Sequence, residues 1–494
     1  MQVGFDGKRY MKIQTEHIQE RVKKFGGKLY LEFGGKLFDD YHASRVLPGF
    51  DVNGKVKLLA ELKSDAEIIL CISAGDIESN KLRSDIGITY DLDVLRLIDK
   101  LRRMGLYIGS IVITQFTEQP AAEHFRKKLE MRGERVYIHR HTKGYPTDVD
   151  TIVSDEGYGA NPYIETSKPL VVVTAPGPGS GKLATCLSQL YHEYKRGVKA
   201  GYAKYETFPI WDMPLKHPVN IAYEAATADL KDVNMIDPFH LDAYGVTAVN
   251  YNRDVEVFPV VKTILQKITG DSAVYQSPTD MGVNMIGRCI VDDEAVRRAS
   301  KEEVIRRYFN AQCDYKQGRT DMSTAQRVEL LMNELNLRPD DLRPVRPALD
   351  KAASCGRPAS AILLQDGRIV TGKASDLMSC SSSVILNAIK VLAGIADEIM
   401  LISPTVLEPI LKLKKEALGR RHPVLSADEV LIALSVSAAM NPTAELALSK
   451  LHELRGCQLH SSNIITQANE DILRRLGLNY TCTPEFPTKD LYFR

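Results

Sequence analysis

Short apolar runs alternate with segments of helical periodicity through the first two hundred residues. Three apolar runs are typical of buried strands: 66–74, 107–114 and 135–139. Two segments between them carry apolar residues at helical spacing: 93–104, which ends before Gly105, and 120–132, which ends before Gly133. This alternation predicts right-handed βαβ units and a parallel sheet with helices on its faces.

A further buried strand is predicted at 170–174, before a glycine-rich turn and a helix from Lys182 to about residue 196. From 201 to 287 the pattern becomes irregular, with many aromatic residues, prolines and asparagines. Helices are predicted again at 293–308 and 324–335. Three prolines and alternating charge mark 338–347 as a domain boundary.

The last part of the chain again has an α/β pattern. Strands at 359–364 and 368–371 flank an Asp-Gly turn and predict a hairpin. A helix at 383–393 and a strand at 398–402 follow. Ser426 and Glu429 have the spacing of a capping box for a helix over 427–440, and another helix starts after Asn441.

The predicted fold class is α/β, with a doubly wound parallel sheet that carries a variant P-loop. Three domains are predicted: a Rossmann-like or P-loop-like α/β domain (1–200), an irregular α+β subdomain ending in helices (201–340) and a C-terminal α/β/α domain (348–494).

Composition narrows the functional class. The 494 residues are 44% hydrophobic and 26% charged, which is typical of a folded globular chain. A net charge of +1 gives no electrostatic argument for nucleic acid or an anionic membrane as a partner. Eight scattered cysteines, the lack of an apolar N-terminal segment and the lack of a membrane-length apolar run predict a cytoplasmic protein with reduced thiols.

The strongest chemical signal is the sequence APGPGSGK at 175–182, between the predicted strand and helix. Glycines in such a turn let backbone N–H groups point at an anion, and the helix N-terminus adds a positive dipole. The segment resembles the Walker A loop of P-loop NTPases. The predicted phosphate-binding residues are Gly177, Gly179, Ser180, Gly181 and Lys182.

The segment departs from the Walker A pattern at two positions. Pro176 stands where the pattern has its first glycine, and Leu183 replaces the hydroxyl residue that binds Mg²⁺. Thr185 is poorly placed as a substitute, and Asp237 is a weak Walker-B-like candidate for an acidic partner. The sequence therefore predicts phosphate or nucleotide binding more strongly than Mg²⁺-dependent hydrolysis.

Other groups of polar residues have ordinary structural explanations as well as functional ones. The segment LYLEFGGK at 29–36 looks like the first strand and Gly-Gly turn of amino-acid kinases. Charged residues that follow this turn are candidates for a cleft or for a solvated helix start: Asp39, Asp40, His42 and Arg45. In a strand, His139 and His141 would point to the same face and could share a metal ion. His217 and His240 lie in the irregular middle region.

Four long stretches identify the chain as similar, over nearly its full length, to an uncharacterised bacterial protein family, domain of unknown function 1846. They are KLYLEFGGKLFDDYHASRVLPGF, the segment from VVVTAPGPGSGK to DMPL, HPVNIAYEAATADLKDVNMIDPFH and SPTDMGVNMIG. This resemblance implies no particular chemistry.

The segments SAILLQDGRIVTGK and SVILNAIKVLAG resemble the opening hairpin and helix of cytidine deaminases. In that family the helix supplies a zinc ligand and a catalytic glutamate. Aligned on Asn387, those positions are Ser383 and Ile385 here, and the second zinc motif falls where the chain reads PTVL. The resemblance implies a shared fold without zinc and without deaminase activity.

Three functional hypotheses remain open. The first is an enzyme that acts on a nucleotide or another small phosphorylated molecule, with Mg²⁺ doubtful as a cofactor. The second is a ligand sensor or scaffold that binds such a molecule without turnover. The third is a metal-dependent hydrolase built on the middle-region histidines. A homo-oligomer is compatible with all three.

Overall fold

The computed structural model describes residues 3–83, 87–419 and 423–488. The chain forms two compact units, one up to Ser300 and the other from Lys301. The predicted domain boundaries at 200 and 340–348 divide the chain more finely than these two units, and they stay predictions.

The first unit is built on a seven-stranded sheet. Its strands and those of two small two-stranded sheets are β1 (Leu29–Phe33), β2 (Ala66–Ser73), β3 (Leu82–Arg83), β4 (Ile88–Thr89), β5 (Tyr107–Thr114), β6 (Val136–Ile138), β7 (Leu170–Thr174), β8 (Gly201–Tyr205), β9 (Asn234–Ile236), β10 (Val249–Tyr251) and β11 (Gly282–Val283). The large sheet has the order β11-β8-β1-β7-β2-β5-β6, and all of its strand pairs are parallel. The carboxyl ends of its strands therefore lie along one edge.

The helices of this unit, of which the last continues into the second unit, are α1 (Gly7–Lys24), α2 (Tyr41–Val46), α3 (Gly54–Glu61), α4 (Ala74–Glu78), α5 (Tyr90–Arg103), α6 (Pro120–Glu130), α7 (Val149–Ile152), α8 (Lys182–Lys195), α9 (Pro218–Ala226), α10 (Pro238–Tyr244), α11 (Asn252–Thr269), α12 (Pro278–Met281) and α13 (Asp293–Lys316). One face of the sheet packs on α3, α5 and α6 through residues such as Val56, Val94 and Phe125. The opposite face packs on α8 and α11 through Leu190 and Phe258. Because both faces are covered, central strands such as β2 are buried along their whole length.

The α/β class and the parallel sheet predicted for this part of the chain are confirmed. The predicted strands 107–114 and 170–174 coincide with β5 and β7. Helix α5 begins three residues before the predicted start, after Thr89, and ends before Gly105 in the left-handed conformation.

Residues 201–287 are more regular than predicted. They supply two strands of the large sheet, β8 and β11, and the 18-residue helix α11. Pro259 inside α11 obscured the helix in the sequence, since proline is normally a breaker. The chain accommodates it here with Val255, Phe258 and Val261 buried on one side.

The second unit has its own core and a four-stranded mixed sheet. Its strands are β12 (Ala359–Leu363), β13 (Ile369–Lys373), β14 (Gln458–Ser461) and β15 (Asn479–Cys482), in the order β13-β12-β14-β15. Its helices are α14 (Met322–Glu334), α15 (Val345–Cys355), α16 (Cys380–Ala393), α17 (Pro404–Lys412), α18 (Ala427–Ala438), α19 (Pro442–Ser449) and α20 (Gln467–Arg475). β12 and β13 form an antiparallel hairpin, and β14 and β15 are parallel.

The predicted hairpin and the capping box of Ser426 and Glu429 are both confirmed. The predicted strand at 398–402 is wrong, because these residues form turns before α17. The mixed sheet agrees with an α/β domain, whereas the likeness to cytidine deaminases stays a prediction. In the described residues of both units, no helix is both long enough and apolar enough to cross a membrane.

Candidate functional site

The glycine-rich loop joins β7 to α8 at the centre of the carboxyl edge of the sheet, with β1 and β2 on either side of β7. Gly179 and Gly181 have φ angles of 71° and 76°, in the left-handed region that favours glycine. A Cβ atom on Gly181 would lie 2.9 Å from the Thr114 side chain, and one on Gly177 would lie 2.4 Å from the Tyr90 hydroxyl. The predicted glycines are therefore required by the path of the backbone and by its close neighbours.

The loop carbonyls are held by side chains from neighbouring strand ends. The Thr114 hydroxyl donates to the Ser180 carbonyl at 2.8 Å, and the Gln115 amide donates to the Gly179 carbonyl at 3.4 Å. The Ser73 hydroxyl in turn donates to Gln115 at 3.2 Å. These contacts fix the orientation of the peptide groups of the loop.

The N–H groups of the loop differ from its carbonyl groups in their hydrogen bonding. Among the residues that the structure describes, none accepts a hydrogen bond from the N–H of Gly179, Ser180 or Gly181. They precede the first turn of the 14-residue helix α8, whose own first N–H groups add to the positive end of its dipole. Unpaired N–H groups at a helix N-terminus are the arrangement that binds an anion.

Lys182 adds a positive charge to this loop. It is half-buried, and its Nζ lies 3.4 Å from the Ser180 hydroxyl. Thr174, just before the loop, is fully buried, and its hydroxyl has no hydrogen-bond partner in the described part of the chain. The five predicted residues lie together between β7 and the start of α8, and their role in phosphate binding stays a prediction.

Thr185 and Asp237, the hydroxyl and acidic candidates from the sequence, form hydrogen bonds with other parts of the protein. The Thr185 hydroxyl donates to the Gly181 carbonyl at 3.0 Å, which agrees with its expected unsuitability for Mg²⁺. Asp237 follows β9, which is not a strand of the large sheet. Its carboxylate accepts from the N–H of Phe239 at 3.0 Å and from the Thr279 hydroxyl at 2.7 Å. Asp237 therefore caps α10, and the geometry gives no support to a Walker-B-like role.

Asp76 is an acidic residue near the loop that sequence analysis missed. It follows β2, the strand next to β7, and its Oδ1 accepts from Lys81 at 3.1 Å. The Lys81 ammonium lies 5.2 Å from the centre of the Tyr90 ring, which itself lies against Gly177. The buried Oδ2 of Asp76 has no hydrogen-bond partner among the described residues. The sequence signal that could have revealed Asp76 was its position directly after a buried strand, at the carboxyl edge of the sheet.

The charged residues after the Gly-Gly turn of β1 have structural partners. Asp40 is buried, caps α2 through the Ala43 N–H and pairs with Lys55 at 2.7 Å. Burial alone would raise the pKa of Asp40, but the Lys55 ammonium holds it below its usual value. Asp39 lies within 3.4 Å of Arg96. These contacts fit the structural explanation better than a catalytic cleft.

Three of the four candidate metal ligands have other partners. Burial lowers the pKa of His139 to about 4, and its Nε2 lies 3.2 Å from the Pro162 carbonyl. His217 caps α9 and pairs with Asp293 at 2.9 Å, and His240 contacts the Ser277 hydroxyl at 2.9 Å. Within the described ranges, no three His, Cys, Asp or Glu side chains are grouped to hold a metal ion. The metal-hydrolase hypothesis therefore has no geometric support in those ranges.

Comparison with known proteins agrees with the resemblance seen in the sequence. The model of the N-terminal domain of unknown function DUF1846 matches residues 3–336, and that of the C-terminal domain matches residues 340–492. A UPF0371 protein from Clostridium botulinum (strain Langeland / NCTC 10281 / Type F) is 60% identical over the whole of both chains. A UPF0371 protein from Clostridium tetani (strain Massachusetts / E88) is 58% identical, again over the whole of both chains. The chain belongs to the DUF1846 family, and the two relatives named above carry the name UPF0371.

Proposed function

We propose that this protein binds a small phosphorylated molecule at the loop of residues 177–182. The observation that carries this proposal is that no described residue accepts a hydrogen bond from the N–H groups of Gly179, Ser180 and Gly181, directly before α8 and Lys182. Such groups match the oxygens of a phosphate, and the lysine ammonium neutralises part of its charge.

The expected affinity is moderate. Hydrogen bonds to a charged group contribute about 1.5–3 kcal/mol each, and the helix dipole adds about 0.3–1 kcal/mol. Part of this is offset by the loss of translational and rotational freedom on binding. We therefore expect a Kd for inorganic phosphate in the micromolar to millimolar range.

Phosphate capture in this loop does not require Mg²⁺. Leu183 supplies no hydroxyl ligand, and Thr185 is bonded to the backbone. Asp76 follows β2, one of the two strands beside β7, and we expect a hydrolytic version of the function to depend on it. The proposal covers both an enzyme that acts on the bound molecule and a sensor that only binds it.

Calorimetric titration with inorganic phosphate, ATP and GTP, each with and without Mg²⁺, tests the proposal. Lys182→Ala should weaken binding of phosphate-containing ligands by at least ten-fold. Lys195→Ala is the matched control, since this lysine lies at the other end of α8 and pairs with exposed Asp155. It should leave the affinity unchanged.

Equal affinities in the wild type and in Lys182→Ala would contradict the proposed site. Binding that requires Mg²⁺ and is lost in Asp76→Asn would favour NTPase-like chemistry over simple capture. ATP or GTP hydrolysis that is lost in both variants would remove the sensor alternative.

A further inference from the structure

A second group of charged side chains lies at the carboxyl edge of the same sheet. Lys204 is in β8, and Glu206 follows the end of this strand. The Lys204 ammonium lies 2.7 Å from Glu206 and also contacts the Asp254 carboxylate and the Tyr251 hydroxyl. The Tyr251 hydroxyl donates to Glu206 at 2.8 Å. We call these four residues the Lys204 cluster.

Three residues of the Lys204 cluster are partly exposed, whereas Tyr251 is buried. The side chains of Lys204, Glu206 and Asp254 are 13%, 16% and 16% exposed. Burial raises the pKa of Glu206 to about 7, and the neighbouring Asp254 charge adds to this effect although Lys204 opposes it. Glu206 is therefore partly protonated near neutral pH, so its carboxyl group can donate a hydrogen bond as well as accept one.

The cluster and the loop are close along the edge. Only β1 separates β8 from β7, and neighbouring strands are about 4.8 Å apart, so the backbones of β7 and β8 are about 10 Å apart. Gly34 and Gly35 follow β1, and Glu32 of β1 lies between the two sites in the register of the sheet. An extended chain of five or six carbon atoms with a terminal phosphate spans this distance.

Glu32 lies beside Lys204 in the sheet, and although burial lowers the pKa of Lys204, the Glu32 charge contributes to raising it. Glu32 of β1 lies opposite Val173 of β7 and opposite Lys204 of β8. Burial raises the pKa of the Cys71 and Cys186 thiols, the Glu32 charge raises both further, and the Lys182 charge lowers both. The loop lysine and Glu32 therefore act on the same two thiols.

We propose that the Lys204 cluster binds the hydroxyl groups of the molecule whose phosphate is held by the loop, so that the ligand is a sugar phosphate or a polyol phosphate. This inference rests on the proposed function of the loop. Each carboxylate oxygen has two lone pairs, so Glu206 and Asp254 can accept hydrogen bonds from ligand hydroxyl groups in addition to those from Lys204 and Tyr251.

A nucleobase fits the Lys204 cluster less well. It would need an apolar or aromatic face on which to stack. The Tyr251 ring already lies 4.6 Å from the Lys204 ammonium and 5.6 Å from the Arg253 guanidinium. The remaining groups of the cluster are carboxylates, which favour a hydroxyl-rich ligand.

The test compares the affinities of ribose 5-phosphate, glucose 6-phosphate, AMP and inorganic phosphate by calorimetry. In the wild type, at least one of the two sugar phosphates should bind ten-fold or more tightly than inorganic phosphate and more tightly than AMP. Asp254→Asn should remove this advantage and leave the affinity for inorganic phosphate unchanged. Lys182→Ala should weaken every ligand.

Tyr251→Phe provides a second variant, because it keeps the ring and removes only the hydroxyl. It should reduce sugar-phosphate affinity by about three- to ten-fold, and thermal unfolding of both variants checks that they are folded. Inorganic phosphate binding with no gain from either sugar, or AMP binding more tightly than both sugars, would overturn this inference alone. If no phosphate compound binds to the wild type, the proposed function and this inference both fail.

Discussion

Both units contain a strand followed by a turn and a helix, but their chemistry differs. In the first unit the turn before α8 has a lysine and N–H groups that donate to no described residue, and charged side chains lie farther along the same edge. In the second unit the first turn of α16 carries Ser381, which is fully buried, as is Ser360 of β12. Neither hydroxyl has a partner among the described residues. An α/β arrangement alone therefore does not specify a binding site.

The buried His460 of the second unit also differs from the charged groups of the first unit. His460 in β14 lies 2.8 Å from the Thr481 hydroxyl and 3.1 Å from the Thr483 hydroxyl. Burial lowers its pKa to about 3, so it is neutral at physiological pH. Its hydroxyl neighbours hold it in the core, whereas Glu206 and Lys204 of the first unit are partly exposed.

The largest expected effect is on stability and concerns Gly372, a glycine of the second unit that lies close to a helix backbone. A Cβ atom on Gly372 would lie 2.4 Å from the backbone nitrogen of Val384 in α16, and a backbone atom cannot rotate away. Gly372→Ala should therefore destabilise the second unit by about 3 kcal/mol while phosphate binding by the folded fraction persists. Chemical denaturation measures the loss. A variant as stable as the wild type would show that β13 and α16 are packed less tightly than described.

A smaller loss of stability with a larger loss of binding is expected at Gly181. An alanine there has an unfavourable positive φ and meets the Thr114 side chain, so Gly181→Ala should cost about 2 kcal/mol and abolish phosphate binding. Gly394 at the end of α16 also has a positive φ, but open space surrounds it. Gly394→Ala should cost about 1 kcal/mol without any change in binding. Similar phosphate affinities of Gly181→Ala and Gly394→Ala would contradict this difference between the two glycines.

The smallest expected effects are on the pH dependence of stability, and they have opposite signs for His460 and Glu206. The pKa of His460 is lower in the folded chain than in the unfolded one, so its contribution to stability falls as pH decreases from about 6.5 towards 3. The pKa of Glu206 is raised by burial, so its contribution falls as pH increases from about 4.5 through 7. Unfolding free energies at pH 4.5–8 should show a weaker acid loss in His460→Gln and a weaker alkaline loss in Glu206→Gln. Curves parallel to that of the wild type would contradict both assignments.

Local sequence patterns were sufficient for the parts of the fold that depend on neighbouring residues. Continuous apolar runs identified β5 and β7, and the glycines near Lys182 identified the loop. Helix α11 was missed because Pro259 lies within it. The strand predicted at 398–402 failed because a short apolar run does not distinguish a strand from a turn that packs on the core.

The Lys204 cluster was beyond local patterns for a different reason. Lys204 and Asp254 are 50 residues apart in sequence. Their meeting depends on β8 lying beside β1 in the sheet and on the position of α11, neither of which is encoded in a short window. Asp76 was missed similarly, because its proximity to the loop requires knowing that β2 is next to β7.

The central claim is that the loop N–H groups bind phosphate. Amide spectra of protein labelled with ¹⁵N-glycine, recorded during titration with inorganic phosphate, test it most directly. The signals of Gly179 and Gly181 should shift with increasing phosphate and should not do so in Lys182→Ala at the same concentrations, while Gly372 and Gly394 of the second unit stay unchanged. Signals of Gly179 and Gly181 that do not move while calorimetry detects bound phosphate would contradict the claim.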